Sequence, residues 1–210
     1  MKLVYFNGRG MAETSRLLLA AADCEYEDFR YPLEIIDMKT YKFNRAKFDE
    51  DNKNGLLNKS MGKVPFLMVN GKTISQSKSV ERYLADKFNM MGDGDEEKAL
   101  IDSYCEYLRD FKTVYQKSKK NDEVSEWFLK TLPSKLLGFE TLLQENNYDT
   151  TAKINLADIS IYSFLCEYFD NKTDTKNAYK DCEILKLIVK KVSENERITN
   201  WINNRPATGF

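Results

Sequence analysis

Histidine is absent from all 210 residues, and with it go the Ser-His-Asp and Cys-His mechanisms and the commonest metal ligand. Any chemistry must run on tyrosine, serine, a carboxylate, an amine or a borrowed group. Cysteine is scarce: Cys24, Cys105, Cys166 and Cys182 stand singly, with no C-x-x-C pair. That scatter suits neither a disulfide framework nor a zinc site and leads us to expect buried free thiols. No apolar run approaches the roughly 20 residues needed to cross a bilayer. The amino terminus enters a strand directly, without a charged-then-apolar leader, so a cytoplasmic protein is expected. An excess of one charge is missing too. With 32 basic against 33 acidic residues and a pI of about 5.8, there is no net field for nucleic acid or an anionic membrane, and neither is expected as a partner. What remains is average: 42% hydrophobic and 31% charged residues, in a length that fits one large domain or two small ones.

The chain opens with Lys2-Leu3-Val4-Tyr5-Phe6, breaks at Gly8 and Gly10, and passes at once into a helical pattern from Met11. This reads as strand, tight turn, helix, the opening unit of an α/β domain. Tyr5 stands near the carboxyl end of that strand, where open α/β folds tend to place ligands. Its phenol either packs on the sheet or serves as a fixed hydrogen-bond donor. Residues 25–30 alternate as a second strand. Residues 36–60 are polar and lysine-rich, with Tyr41, Phe43 and Phe48 spaced as on a surface helix ended by Gly55. Residues 62–69 read as a strand whose Pro65 stands at its start or edge. Asn70-Gly71 turns it into an antiparallel hairpin with residues 72–74. Ser75-Gln76-Ser77 then starts a helix with Val80, Tyr83, Leu84 and Phe88 on one face.

Only helical patterns follow Gly92-Asp93-Gly94-Asp95, so the expected organisation is an α/β domain over 1–88, a linker over 89–95 and an all-helical domain over 96–210. Leu100, Tyr104, Leu108, Phe111 and Tyr115 mark a long amphipathic helix. Residues 123–146 form another, which Pro133 should kink. Asn155-Leu156-Ala157-Asp158 caps a nearly all-apolar run to Phe169, the expected centre of this half. Two shorter helices surround Ile184–Ile188 and Trp201-Ile202.

The stretches YFNGRGMAETSR, GKVPFLMVNGKTISQSKSVERYLA and, in the helical half, NLADISIY resemble a cytosolic glutathione S-transferase. The likeness is closest to class sigma, which includes the glutathione-dependent prostaglandin D synthases and the lens S-crystallins. It spans nearly the whole chain and implies a thioredoxin-like domain with a mixed four-stranded sheet that binds glutathione. A helical-bundle domain contributing the electrophile site would follow, in a homodimer. By resemblance, Tyr5 is the catalytic tyrosine donating to the glutathione sulfur. Val64-Pro65 matches the motif with a cis proline that lets the Val64 backbone pair with the peptide, and Gln76-Ser77 matches the pair holding the γ-glutamyl carboxylate. Lys63 matches a residue near the glycine end of the peptide, although a solvated lysine fits as well. Phe48 and Lys53 fall where the class has a tryptophan and a lysine in that subsite. Asp110 matches an acidic residue that reaches the γ-glutamyl amine in the other subunit. The electrophile site would draw on Phe6, Met11, Tyr104, Leu108, Tyr115 and Phe210.

Two departures matter. Met11 replaces an arginine that lies against the active tyrosine in the prostaglandin synthases. Arg109 sits between Glu106 and Asp110, where those synthases have an acidic metal cluster, so no metal is expected. Three functions remain: conjugation of glutathione to small hydrophobic electrophiles, a non-enzymatic binding or structural role like that of the S-crystallins, and prostaglandin isomerisation, which Met11 disfavours.

Overall fold

The structure, a computed structural model, describes residues 1–37 and 42–208. Two compact units emerge: Met1–Leu84 together with the chain from Asn200, and Ala85–Thr199.

In the first unit, strand β1 (Lys2–Phe6) leads through a 3-10 turn at Gly10–Ala12 into helix α1 (Glu13–Ala21), and β2 (Glu27–Tyr31) returns parallel to β1. A two-stranded ribbon, β3 (Glu34–Asp37) with β4 (Lys42–Asn44), precedes helix α2 (Ala46–Lys53). Strands β5 (Phe66–Val69) and β6 (Lys72–Ser75) form the Asn70-Gly71 hairpin, and helix α3 runs Ser77–Lys87. The main sheet has the order β2-β1-β5-β6, with β1/β5 and β5/β6 antiparallel. This is the mixed four-stranded sheet expected from the resemblance.

Since side chains alternate along a strand, Val4 and Phe6 share one face of β1. There Val4, Tyr31, Phe48, Leu57 and Phe66 make a buried cluster, with Phe6, Phe29 and Val64 packed against it. On α1, Leu17, Leu18 and Leu19 are wholly buried. Residues 36–60 differ from the sequence expectation. Phe43 belongs to β4 rather than a helix, and Phe48 is 3% exposed rather than superficial, because its ring completes the cluster above. Tyr41 lies outside the described residues.

The second unit is helical. Helix α4 (Asp95–Lys120) begins with Asp95, Glu96 and Glu97 and ends with Lys117, Lys119 and Lys120, charges that complement the helix dipole. A short α5 (Val124–Glu126) widens into a π-helical turn at Trp127–Thr131 before α6 (Leu132–Glu145). The helical run is continuous from Val124 to Glu145, and Pro133 sits in the first turn of α6 directly after the π-helical turn, where its missing N–H is tolerated. Helix α7 (Leu156–Tyr162) is buried along its whole length and touches both α4 and α9 (Glu183–Ser193), which follows α8 (Lys172–Ala178). It is the centre of this unit, as expected. Asn155 and Asp158 form a reciprocal capping box at its start. Helix α10 (Glu196–Asn204) carries the chain back into the first unit. Of the four thiols, Cys105 and Cys182 are buried, while Cys24 and Cys166 are half-buried; all are free. Among the described residues, no helix is long and apolar enough to cross a membrane.

Candidate active site

The site starts where β1 stops. Tyr5 points to the face opposite Val4 and Phe6, and its Oη accepts the Met11 backbone N–H at 3.2 Å. Gly10 makes this approach possible. Its φ is +37°, and a Cβ there would stand 2.6 Å from Tyr5 Oη, far inside contact distance, so glycine is required both for the backbone and for the space. Behind the ring lies the fully buried Arg16, with Cζ 6.0 Å from the ring centroid. Burial pushes the Tyr5 hydroxyl above the ordinary phenol value, against the opposing pull of the Met11 N–H and the Arg16 charge. The phenol thus stays protonated near neutral pH. With one lone pair occupied by Met11, its proton is free to be donated.

Beside it opens a cavity of about 360 Å³ whose lining brings together eight of the sequence candidates, namely Phe6, Met11, Phe48, Lys63, Val64, Pro65, Gln76 and Ser77. Tyr5 adjoins this space through its bond to Met11 and its edge contact with Phe6, ring centroids 5.6 Å apart. The Val64-Pro65 peptide is cis, as the resemblance implied, and Val64 lies just before β5, outside the ladder. Gln76 occupies the cap of α3 with φ +73°, its carbonyl taking the Val80 N–H at 3.0 Å. The first N–H groups of α3 therefore stand without helical acceptors beside the cavity, an arrangement that favours an anion. Lys63 is exposed at the rim.

Phe48 contributes only an apolar wall, since a phenyl ring has no hydrogen-bond donor. Lys53 ends α2, is exposed and does not line this cavity. Besides Lys63, the lining holds the cation Arg45, which the sequence reading missed: its guanidinium lies 5.1 Å over the Phe48 ring and pairs with Asp49 at 3.1 Å. Gly62 completes the lining.

Within the helical unit, Tyr104 and Leu108 are 2% and 3% exposed, and Tyr104 packs on Phe139 and Tyr148. This corrects their assignment to a substrate wall, because the apolar stripe of α4 turns inward to make its unit's core. Tyr115 is half-buried against Trp127, Phe128, Tyr168 and Phe169. Asp110 is exposed on α4, and Arg109 pairs with Glu106 at 2.8 Å. Phe210 lies outside the described residues.

Comparison with known proteins agrees with this geometry over both units. The model of the glutathione S-transferase N-terminal domain matches residues 1–86, and that of the C-terminal domain residues 102–205. A hematopoietic prostaglandin D synthase of Gallus gallus is 30% identical over 216 residues, covering 100% of this chain and 98% of the relative. The glutathione S-transferase class-mu 28 kDa isozyme of Schistosoma japonicum is 28% identical over 226 residues, the whole of both chains. Among solved structures, a pi-class glutathione S-transferase of Onchocerca volvulus superposes with a TM-score of 0.79 at 24% identity, over 97% of this chain and 92% of its own. With both halves matched in order and relatives similar end to end, the chain belongs to the glutathione S-transferase family.

Proposed function

We propose that the protein is a glutathione transferase that joins the glutathione thiolate to small hydrophobic electrophiles. The observation that carries this reading is Tyr5: a protonated hydroxyl that accepts the N–H of Met11, and Met11 lines a cavity that also takes in the start of α3. A free thiol with pKa near 8.5 is only about 3% ionised at pH 7. Lowering that pKa by roughly 2 units takes about 2.7 kcal/mol of preferential thiolate stabilisation. One charge-assisted hydrogen bond in a partly dry site supplies about 1.5–3 kcal/mol. Tyr5 is therefore sized to hold the anion while the sulfur attacks. In this reading the Val64 peptide group pairs with the cysteinyl unit, Gln76 and Ser77 with the γ-glutamyl carboxylate, and Lys63 or Arg45 with the glycyl carboxylate; their common place on one cavity supports it. Phe6 and the 59% exposed Met11 offer the apolar surface nearest the sulfur.

Turnover of a chlorodinitrobenzene-type electrophile with glutathione tests the reading, and its absence in folded protein would leave the S-crystallin-like role. Prostaglandin D synthases stand among the relatives, yet Met11 removes the cation that those enzymes place beside the sulfur. Restoring it in Met11→Arg is expected to lower the bound-thiol pKa by roughly 0.3–1 unit, discounted for exposure. Ultraviolet titration of the bound thiolate reads this, and an unchanged value refutes it.

A class sigma, cytoplasmic homodimer is the assembly we infer. Exposed Asp110 would then serve the site of the other subunit through the γ-glutamyl amine. Asp110→Ala should bind glutathione roughly 5–30-fold more weakly, about 1–2 kcal/mol, with unchanged melting temperature and dimer mass. Wild-type affinity by calorimetric titration in a still-dimeric variant would show that the carboxylate makes no such contact.

A further inference from the structure

Helix α1 buries two charges. Glu13 is 2% and Arg16 0% exposed, and charges so deep persist only when paired. Arg16 donates from Nη1 to the Gly8 carbonyl at 2.6 Å and to Glu13 Oε2 at 3.3 Å, and from Nε to Asp28 at 3.2 Å. Asp28 is shared with Arg30, whose Nε lies 2.8 Å away. The other Glu13 oxygen, Oε1, accepts Trp201 Nε1–H at 3.0 Å and Arg205 Nη1–H at 2.6 Å. Both donors come from the carboxyl-terminal end of the chain, more than 180 residues away, within the same unit.

Among the described residues, three guanidinium groups thus meet two carboxylates, an excess of one positive charge over these five groups. Among the described residues, Tyr26 also faces the cluster, its phenol kept neutral by burial and Asp28, and Tyr5 faces it through Arg16. Arg16 is the member nearest Tyr5, and Met11 contributes no charge on the cavity side.

We propose that the chain segment around the end of α10 tunes the Tyr5 site: Arg205, just past the helix, seconded by Trp201 within it, holds Glu13 and offsets its charge, which leaves the field of Arg16 directed at the Tyr5 hydroxyl. Arg205 is then a positioning residue for thiolate stabilisation, the role this deepens from the proposed function. Without Arg205 the cluster becomes neutral and Glu13 turns its whole charge on Arg16; without the Glu13 charge the cluster gains a second net positive charge. The two losses act in opposite directions.

The test reads two titrations in folded protein: the Tyr5 phenol without glutathione, by ultraviolet difference against Tyr5→Phe, and the thiol of bound glutathione. Arg205→Gln is expected to raise both by about 0.5–1 unit, and Glu13→Gln to lower both by a similar amount, as one charge at such range permits. Arg205→Lys keeps the charge and should match wild type. A wild-type phenol titration in Arg205→Gln overturns the proposal. Should that variant not fold, an unchanged phenol in Glu13→Gln overturns it instead, and a downward shift supports it. Opposite phenol shifts together with no bound thiolate in the wild type would sustain the coupling while overturning the glutathione reading.

Discussion

Tyr5→Phe is expected to turn over roughly 10–100-fold more slowly than wild type at neutral pH while keeping its fold and most of its glutathione affinity. The substitution removes one oxygen and leaves the ring, so the edge contact with Phe6 and the approach of Arg16 survive. The Met11 N–H loses its acceptor, but Met11 is exposed and water can replace it at small cost. The thiolate loses its donor, and the rate falls by the difference between thiolate and thiol binding, roughly that of one charge-assisted hydrogen bond. The loss should shrink as pH rises and glutathione ionises unaided. Steady-state rates from pH 6 to 9 check it; full activity at pH 6.5 would show that the hydroxyl does not stabilise the anion.

Asp158→Ala is expected to lose about 3–5 kcal/mol of stability, the range for breaking a buried ion pair. Its carboxylate, wholly buried, accepts the Asn155 N–H at 3.0 Å, the Lys191 ammonium at 2.8 Å and the Tyr148 hydroxyl at 2.8 Å. Burial pushes this carboxyl above the ordinary value, and those same three donors pull against it. Removing it breaks half of the capping box of α7, the helix its unit is built around: the Asn155 N–H loses its acceptor while Asn155 Oδ1 still takes the backbone N–H of position 158, and the largely buried Lys191 is left with the Ala152 carbonyl at 3.3 Å and no charged partner there. For a chain of this size the melting temperature should fall by about 10 °C. Denaturant unfolding measures the change, and a loss below about 1 kcal/mol would mean that the capping box carries little of the helical unit's stability.

The legible parts of the fold are those that announce themselves within a few residues. The strand, glycines and helix around Tyr5, the Asn70-Gly71 hairpin and the Asn155 cap each satisfy a local backbone demand that few residue types meet. The ribbon of β3 and β4 escaped notice because strands of three and four residues, polar on both sides, show no alternation. Arg45, and the burial of Phe48, became visible only in three dimensions: a buried ring in a polar helix reads as surface until its partners Tyr31 and Val4 are known. Tyr104 and Leu108 carried a correct helical stripe, yet periodicity says that a face is buried and not what buries it. The network from Arg16 to Arg205 left no sequence trace, since its members lie up to 192 residues apart.

Gly10 and Tyr5 occupy one shared volume, with the missing side chain of one filled by the hydroxyl of the other. Neither position can therefore drift alone. A residue larger than glycine at position 10 must first lose the phenol, and a chain that has lost the phenol keeps only the positive φ as a reason for glycine. In a library randomised at both positions, active sequences should pair tyrosine with glycine almost without exception, and any lineage that exchanges this tyrosine for another anion-holding residue is free to rebuild the turn in the same step.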